Sequence, residues 1–241
     1  MSRYYASCSS FVPSPWRLDL STTVCSIDGS AGGDRVDAFQ GPDGRFHLIV
    51  LDACGHGAQA EHIADMALYT IRTLLWQGLT PAVVFGLLNQ LCLDFCNDGS
   101  ETSFGSGAIA SIDPDATAGT FASAGHVDVL RFRADGQRFD HCPTGPLFGV
   151  TPHTQYRDER FAYRASEIFV FFTDGLTDIR VGNGFLGTSG VISIVKDALA
   201  SASGISSSQL ITRVRRLAGG AFNDDAAAMI VSLSGSLNTP Q

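Results

Sequence analysis

Residues 46–57 read FHLIVLDACGHG, and the rest of the chain can be interpreted from this stretch outward. An apolar run that ends at Leu51 is typical of a strand buried on both faces. The run stops at Asp52, and a carboxylate at the end of a buried strand needs a cation, a hydrogen-bond donor or an exposed edge. Gly55 and Gly57 follow, and glycine permits tight turns and the close approach of a ligand. The stretch therefore predicts a functional site at the end of this strand.

The overall composition is that of an acidic globular protein. The 241 residues are 44% hydrophobic and 17% charged, which suits one large domain with a core of useful size. The formal net charge of -8 argues against nucleic acid or an anionic membrane as the main partner. We therefore expect no nucleic-acid partner and no membrane partner.

Cysteine usage and hydropathy indicate the compartment. The six cysteines lack the CxxC spacing of a zinc site, and no apolar run of signal-peptide length opens the chain. No segment has the roughly 18 consecutive apolar residues that a membrane span requires. We expect a reduced, soluble, cytoplasmic protein.

The order of the sequence patterns favours an α+β fold. Apolar residues recur at helical spacing between Ile63 and Leu74, and Thr80-Pro81 is a typical start for a second helix. Short extended runs with turn chemistry fill 104–173, and two further helices follow, one of them with a capping box at Ser206 and Gln209. Two strand-rich blocks, each followed by a helix pair, predict layers with mainly antiparallel sheets.

The same pattern suggests a simple domain organisation. We predict a flexible lead-in at 1–15, a single domain at 16–234 and a flexible tail at 235–241. The sequence contains no internal repeat and no linker long enough to divide the domain.

Four acidic residues stand where an extended segment meets a glycine-rich turn. They are Asp34 in GGD, Asp52 in LDACGHG, Asp174 in TDG and Asp224 in NDD. One acid beside a glycine is usually a turn residue, but four in this position are less readily explained by turn preference. Carboxylates gathered in one cleft repel each other unless cations neutralise them, and all-oxygen ligands suit Mg²⁺ or Mn²⁺. The pattern predicts a two-ion site of the kind that hydrolyses phosphoryl groups.

Six sequence blocks carry a family resemblance. In chain order they are GGDRVDAF, LDACGHGAQAEHIADMA, SAGHVDVLRF, PTGPLFGV, FVFFTDGLTD and NDDAAAMIV. Between about Leu18 and Leu233, the chain resembles the SpoIIE-like bacterial branch of the metal-dependent (PPM, or type 2C) serine/threonine protein phosphatases. The resemblance implies a four-layer αββα sandwich of two mainly antiparallel sheets flanked by helix pairs, with a dimetal site at one edge.

The resemblance also implies a role for each acid. Asp52 would bridge two Mn²⁺ or Mg²⁺ ions, and the backbone carbonyl of Ala53 would contact one of them. Asp34 would serve the first ion directly or through water, while Asp174 and Asp224 would hold the second.

The implied activity is hydrolysis of phosphoserine or phosphothreonine by a water that the two ions activate. The branch typically acts on phosphorylated STAS-domain anti-sigma-factor antagonists in partner-switching pathways, and such a protein is the expected partner. Asp225 is the alternative to Asp224 as a ligand, because the NDD motif does not settle which of the two points inward. The choice between Mn²⁺ and Mg²⁺ and the oligomeric state also stay open.

Two residues are candidates for binding the substrate phosphate. Arg35 lies beside Asp34, and a guanidinium matches phosphate geometry, although an arginine on a strand is more often solvated. His56, between two glycines, could donate to phosphate or act as an acid, although a hydrogen bond that supports the loop is the commoner role for such a residue. His126 in AGH is interpreted as a turn residue that pins two strands. Cys54 stands where family members often have Ser, and is interpreted as a tolerated small residue.

Two alternative hypotheses for the function remain. A cysteine hydrolase built on Cys54 lacks a convincing activating partner, because His56 is only two residues away and is expected to face elsewhere. A catalytically weak or inactive phosphoprotein-binding module of the same fold would be signalled by loss of a metal acid. All four acids are present, which favours an enzyme.

Overall fold

The structure is a computed structural model that describes the chain in eight segments. These segments are residues 16–25, 32–55, 57–97, 103–133, 135–164, 166–201, 204–220 and 222–235. Side chains are described in these segments except at 16–22, 96–97 and 233–235. The predictions about the lead-in at 1–15, about His56 and about the tail from 236 onward lie outside the described residues.

Within the described segments, the strands form two five-stranded sheets and one short hairpin. Sheet I has the order β1 (Trp16–Cys25), β12 (Ala226–Gly235), β9 (Ile168–Phe172), β6 (Val129–Phe132) and β7 (Arg138–His141). Sheet II has the order β2 (Asp34–Gln40), β3 (Phe46–Ala53), β4 (Gly105–Asp113), β5 (Ala118–Ala124) and β8 (Glu159–Ala162). The hairpin consists of β10 (Arg180–Val181) and β11 (Gly184–Phe185). All neighbouring strands in both sheets run antiparallel.

Helix pairs cover the outer faces of both sheets. The helices are α1 (Gly57–Trp76), α2 (Pro81–Asn97), α3 (Gly187–Ala200) and α4 (Ser207–Leu217). The first pair packs on sheet II through residues such as Ile71 and Leu88, and the second packs on sheet I through residues such as Val195 and Leu210. The predicted αββα sandwich is therefore confirmed. In the described part of the chain, none of the helices combines the length and the apolar character needed to cross a membrane.

Strand β3 explains why the sequence around it is continuously apolar. Leu48 and Val50 face the core between the two sheets, where they join Phe171 of sheet I. Ile49 and Leu51 point to the opposite face and pack under α1 and α2, as the two-residue period of a strand requires. Because both faces of the strand are covered, none of the positions 48–51 favours a polar side chain. The strand predicted to be buried on both faces is confirmed.

The strand order brings acids from distant parts of the chain to one end of the sandwich. In sheet II, the register sets Asp34 opposite Asp52, and Asp52 opposite Ser106, so the three form a row across β2, β3 and β4. In sheet I, β9 and β12 are neighbours; Asp174 lies two residues after the end of β9, and Asp225 directly precedes β12. The fold therefore sets two acidic edges, one from each sheet, against each other.

Candidate metal centre

A cavity of about 300 Å³ lies where these two edges meet. Its lining includes every predicted metal ligand, namely Asp34, Asp52, Ala53, Asp174, Asp224 and Asp225. Glycines and apolar side chains form much of the remaining wall. The structure thus brings together all the acids that the sequence singled out, although metal binding by them stays a prediction.

Asp34 lies deepest among these acids. It is only 2% exposed, and its Oδ2 accepts a hydrogen bond of 2.6 Å from the hydroxyl of Thr173. Burial, and then the negative charge of Asp52, raise the pKa of Asp34 well above its ordinary value. Among the described residues, no arginine or lysine forms an ion pair with it. A buried carboxylate in this setting is costly when ionised unless a cation reaches it.

Asp52 occupies the centre of the acidic group. It is half-buried at the end of β3, directly across from Asp34 in the neighbouring strand. Burial, and then the charges of Asp174, Asp224 and Asp225, raise the pKa of Asp52 to about 7. A bound cation would offset both causes of this raised pKa, namely the desolvation of Asp52 and its repulsion by the other carboxylates.

The three acids next to the strands of sheet I, Asp174, Asp224 and Asp225, differ in solvent exposure. Asp174 is half-buried, and burial followed by the charges of Asp178 and Asp224 raises its pKa. Asp225 is 6% exposed, and its Oδ2 accepts a hydrogen bond of 3.1 Å from the backbone N–H of Gly33. Asp224 is exposed at the rim, where its Oδ1 accepts from the backbone N–H of Asp225. Both members of the pair line the cavity, so the choice between them stays open.

The donor set fits hard divalent cations. The donors are carboxylate oxygens together with the carbonyl of Ala53, the ligand type that Mg²⁺ and Mn²⁺ prefer. Among the described residues, however, no group of three or more His, Cys, Asp or Glu side chains already converges as a metal ligand set. The two observations are compatible, because carboxylates that repel each other share a cavity without closing into a cage. The shared lining and the raised pKa values of Asp34 and Asp52 both indicate a need for positive charge at this cavity.

Close packing of glycine against Asp225 gives the GGD motif a specific role. A Cβ atom on Gly32 would overlap the carboxylate of Asp225, and one on Gly175 would overlap its backbone carbonyl oxygen. We expect Gly32→Ala to displace Asp225, to destabilise the fold by about 1–3 kcal/mol and to weaken Mn²⁺ binding at least tenfold, near the lower end of the ~10–100-fold typical of disturbed metal surroundings.

A titration of the purified variant with Mn²⁺, together with a thermal melt, checks this expectation. The matched control is Gly86→Ala in α2, where an added Cβ meets no atom within 4 Å. Alanine at this helical position should raise stability by about 0.5–1 kcal/mol and leave Mn²⁺ binding unchanged. Wild-type Mn²⁺ affinity in Gly32→Ala would contradict the role given to this close packing.

Arg35 and His56 were predicted to bind substrate, and the structure does not bring Arg35 into the cavity. Its Nε donates to Asp65 of α1 at 2.7 Å, and its Nη1 donates to the carbonyl oxygens of Gly32 at 2.6 Å and Asp34 at 2.9 Å. The guanidinium therefore ties α1 to the segment that delivers Asp34. Its binding to phosphate stays an untested prediction, and these contacts favour a structural role. His56 lies outside the described residues.

His126 and Thr173, near the cavity, form buried hydrogen bonds that the sequence alone did not specify. His126 is buried and bonds both Ser106 and the carbonyl of Phe172, which agrees with its interpretation as a residue that pins two strands. Thr173 was not singled out, although a hydroxyl between the apolar run FVFF and Asp174 is a detectable signal. A polar side chain at the end of a buried strand needs a partner, and here that partner is Asp34.

Cys54 lines the cavity and is exposed, but its surroundings do not activate it. Burial of the sulfur, and then the charges of Asp52 and Asp224, raise the pKa of the Cys54 thiol. A nucleophilic cysteine needs the thiolate, which is favoured by a lowered pKa. The environment therefore disfavours the cysteine-hydrolase alternative.

Comparison with known proteins supports the class that the fold and the cavity suggest. The family model described as Stage II sporulation protein E (SpoIIE) matches residues 42–234. The chain belongs to the SpoIIE family, and the predicted resemblance to the SpoIIE-like branch of the PPM phosphatases is confirmed.

One curated relative and two solved structures illustrate the likeness. The chain is 24% identical to phosphoserine phosphatase RsbU of Bacillus subtilis (strain 168) over 156 residues, which are 64% of this chain and 46% of RsbU. The PP2C phosphatase domain of SpoIIE from Bacillus subtilis, solved with a fragment of its regulatory domain, superposes with a TM-score of 0.74 at 15% identity, covering 92% of this chain and 64% of that one. RsbX in complex with magnesium gives a TM-score of 0.66 at 17% identity, covering 91% and 100%.

These likenesses have a definite scope. The chain spans less than half the length of RsbU, and the structural matches share the fold at low sequence identity. The superpositions show the architecture, and the match to the SpoIIE family model shows the family.

Proposed function

We propose that this protein is a metal-dependent protein phosphatase that hydrolyses phosphoserine or phosphothreonine. The observation that carries the proposal is the meeting of five aspartates from both sheets at one cavity. The name of RsbU, a phosphoserine phosphatase, and the magnesium complex of RsbX support the same chemistry. The proposed setting is the cytoplasm.

The proposed cofactors are two Mn²⁺ or Mg²⁺ ions. Asp52 and the carbonyl of Ala53 would hold them together with Asp34, Asp174 and either member of the pair 224–225. When bound, such ions lower the pKa of a coordinated water, so that it can attack phosphorus, and they neutralise charge on the phosphoryl oxygens.

The remaining steps fall to the protein's own groups. Among the described residues, the cavity lining contains five aspartates and no arginine or lysine, so a phosphate dianion would meet an excess of negative charge if no cation were present. This arrangement makes substrate binding dependent on the ions. His56 stays the proposed hydrogen-bond donor to the phosphate, and Arg35 the proposed but less favoured one.

His126 is not suited to protonating the leaving group. Burial lowers the pKa of this imidazole to about 4, so it is neutral at physiological pH. Both of its nitrogens are already engaged, one by Ser106 and the other by the carbonyl of Phe172. The leaving serine or threonine oxygen is therefore expected to take its proton from solvent or from His56.

For the substrate, we propose a phosphorylated STAS-domain anti-sigma-factor antagonist in a partner-switching pathway. The proposal follows from membership of the SpoIIE family and from the likeness to RsbU. Such a substrate presents its phosphoserine or phosphothreonine on a folded protein surface, which suits a cavity at the exposed edge of a sandwich.

The test is hydrolysis of p-nitrophenyl phosphate and of a phosphoserine peptide in Mn²⁺, in Mg²⁺ and in excess EDTA. We expect turnover with at least one of the two ions and loss of turnover in EDTA, restored when the ion is added back. Cys54→Ser should keep the activity, because a metal-dependent mechanism does not require the thiol. Turnover that persists in EDTA would contradict the proposal.

A second candidate function is a catalytically weak or inactive phosphoprotein-binding module. The observation in its favour is that, in the described part of the chain, no three acidic side chains already converge as a ligand set. The same assay separates the two candidates. Binding of the phosphopeptide without turnover, in either ion, would favour the module.

A further inference from the structure

Asp34, Asp52 and Ser106 form a row across sheet II, and both outer members of this row are hydrogen-bonded to residues connected to sheet I. The β2–β3 and β3–β4 registers set the three residues directly side by side. Asp34 receives a hydrogen bond from Thr173, and Ser106 bonds His126, which in turn reaches Phe172. The central residue, Asp52, thus lies between two links that cross from one sheet to the other.

The first link has a fixed hydrogen-bond direction. The Thr173 hydroxyl is fully buried and lies 2.6 Å from Oδ2 of Asp34 and 2.8 Å from the backbone nitrogen of Ala227. A backbone N–H can only donate, so the hydroxyl accepts from Ala227 and its single proton is left for Asp34. The backbone of β12 therefore orients the hydroxyl, and the hydroxyl orients the carboxylate.

The second link is fixed in a similar way. Nε2 of His126 lies 3.1 Å from the carbonyl oxygen of Phe172, and Nδ1 lies 2.6 Å from the hydroxyl oxygen of Ser106. A carbonyl can only accept, so Nε2 carries the proton, and Nδ1 of the neutral ring accepts from Ser106. This tautomer uses both ring nitrogens and leaves none for the cavity.

Both links start from the same place on sheet I. Phe172 is the last residue of β9, Thr173 is the next, and Asp174 follows directly. The short segment 172–174 thus supplies one candidate ligand, Asp174, and also bonds the row that contains two more, Asp34 and Asp52. Any shift of this segment relative to sheet II would disturb both sets of acids together.

We propose that Thr173 is a positioning residue of the metal centre: its hydroxyl fixes Oδ2 of Asp34, so that the other carboxylate oxygen is presented to the ion. The inference rests on the proposed metal-dependent function, and it adds a residue that acts through Asp34. The His126 link reinforces the same register from the other end of the row. Partners of this kind orient ligands, and their loss typically weakens metal binding by about 10–100-fold.

The test compares Thr173→Val with Thr173→Ser by direct titration with Mn²⁺, with no substrate present. Valine keeps the shape of the side chain but lacks the hydroxyl, so affinity should fall about 10–100-fold. Serine keeps the hydroxyl and should restore most of the affinity. A matched control is Thr23→Val, which removes a buried hydroxyl bonded to Ser207, outside the cavity lining. It should lower stability without changing Mn²⁺ affinity.

A double-mutant cycle separates positioning from general damage. If Thr173 acts through Asp34, then adding Thr173→Val to Asp34→Asn should weaken the residual Mn²⁺ affinity no further. If Thr173→Val does not fold, Thr173→Ala is used in its place, with a loss of affinity in the same direction. Equal Mn²⁺ affinity in wild type and in the folded hydroxyl-free variant would overturn the inference.

The outcome is also distinguishable from failure of the proposed function. Mn²⁺ binding that responds to Thr173→Val in a protein without phosphatase turnover would support the positioning role and reject the enzymatic one. Absence of Mn²⁺ binding in wild type would overturn both. Phosphatase turnover with unaltered Mn²⁺ binding in Thr173→Val would keep the function and reject the positioning role.

Discussion

Asp52→Asn should lower kcat/KM for phosphoserine peptide hydrolysis by at least ~10³-fold, because a metal site of this kind contributes several kcal/mol at ~1.4 kcal/mol per tenfold. Asp52 is the central acid of the group, and the amide that replaces it keeps the size of the side chain but loses its charge. The same substitution should stabilise the protein in EDTA, since it removes one of the repelling charges that raise the pKa of Asp52 to about 7. Loss of activity together with a gain in metal-free stability is the combined result to expect.

Steady-state kinetics in saturating Mn²⁺ and thermal melts in EDTA measure the two effects. Asp94→Asn in α2 is the matched control. Asp94 is exposed, accepts a hydrogen bond from Gln90 of the same helix and lies outside the cavity lining. Its kinetics should match wild type, and its stability should change by no more than ~0.5 kcal/mol. Near-wild-type turnover by Asp52→Asn would remove Asp52 from the centre of the mechanism.

As the pH rises from 6.5 to 8, metal-free wild type should become less stable relative to Asp52→Asn. The folded-state pKa of Asp52 is about 7, and that of Asp34 is raised in the same direction, so the folded protein holds protons that the unfolded chain has released. This contribution to stability is therefore fully present below the unfolded-state pKa near 4 and is lost as the pH rises through the folded-state values. For one or two such groups the loss is about 1–3 kcal/mol over this interval.

Histidine opposes the aspartates in part of this pH interval. Burial lowers the pKa values of His47 and His126 to about 4 and also lowers that of His141. These groups make stability rise with pH until their unfolded forms have lost their protons, which is complete only about one pH unit above the ordinary value near 6.5. Because Asp52→Asn keeps all three histidines, the difference between this variant and wild type isolates the contribution of the acids.

Denaturant titrations in EDTA at several pH values measure this dependence. Mn²⁺ or Mg²⁺ should reduce or reverse it, because ions bind the ionised carboxylates and stabilise the folded state by about 2.7 kcal/mol at 100 times the dissociation constant. In EDTA, the change in stability between pH 6.5 and 8 should be more negative for wild type than for Asp52→Asn. Equal changes in the two proteins would contradict the raised pKa of Asp52.

Local patterns in the sequence were sufficient for much of the fold. The apolar run before Asp52 fixed a strand covered on both faces, and the capping box at Ser206 and Gln209 forms as predicted, with each side chain bonding the other's backbone. Such features depend on neighbours within a few positions, so they can be read without knowing the tertiary structure. The gathering of the acids at one edge was inferred from their positions at strand ends.

Side-chain direction was harder to obtain. Arg35 was chosen because it adjoins Asp34, but successive side chains on a strand point to opposite faces. Asp34 faces the cavity, so Arg35 turns toward α1 and meets Asp65 there. The position of Thr173 after an apolar run signals that its hydroxyl needs a partner, but the identity of that partner depends on pairing between residues 139 positions apart, which no local pattern reveals.

The hydrogen bond between Gly33 and Asp225 has a consequence for folding during synthesis on the ribosome. It joins residues 192 positions apart, so β12 must be synthesised before the two acidic edges can meet. Contacts between distant residues also form late in folding, because the entropy of closing a long loop is lost before the contact stabilises anything. The early hairpin therefore carries Asp34 and Asp52 side by side well before the acids of sheet I exist. A nascent chain therefore has only part of the proposed centre, and the complete set of acids exists only after most of the chain has been synthesised.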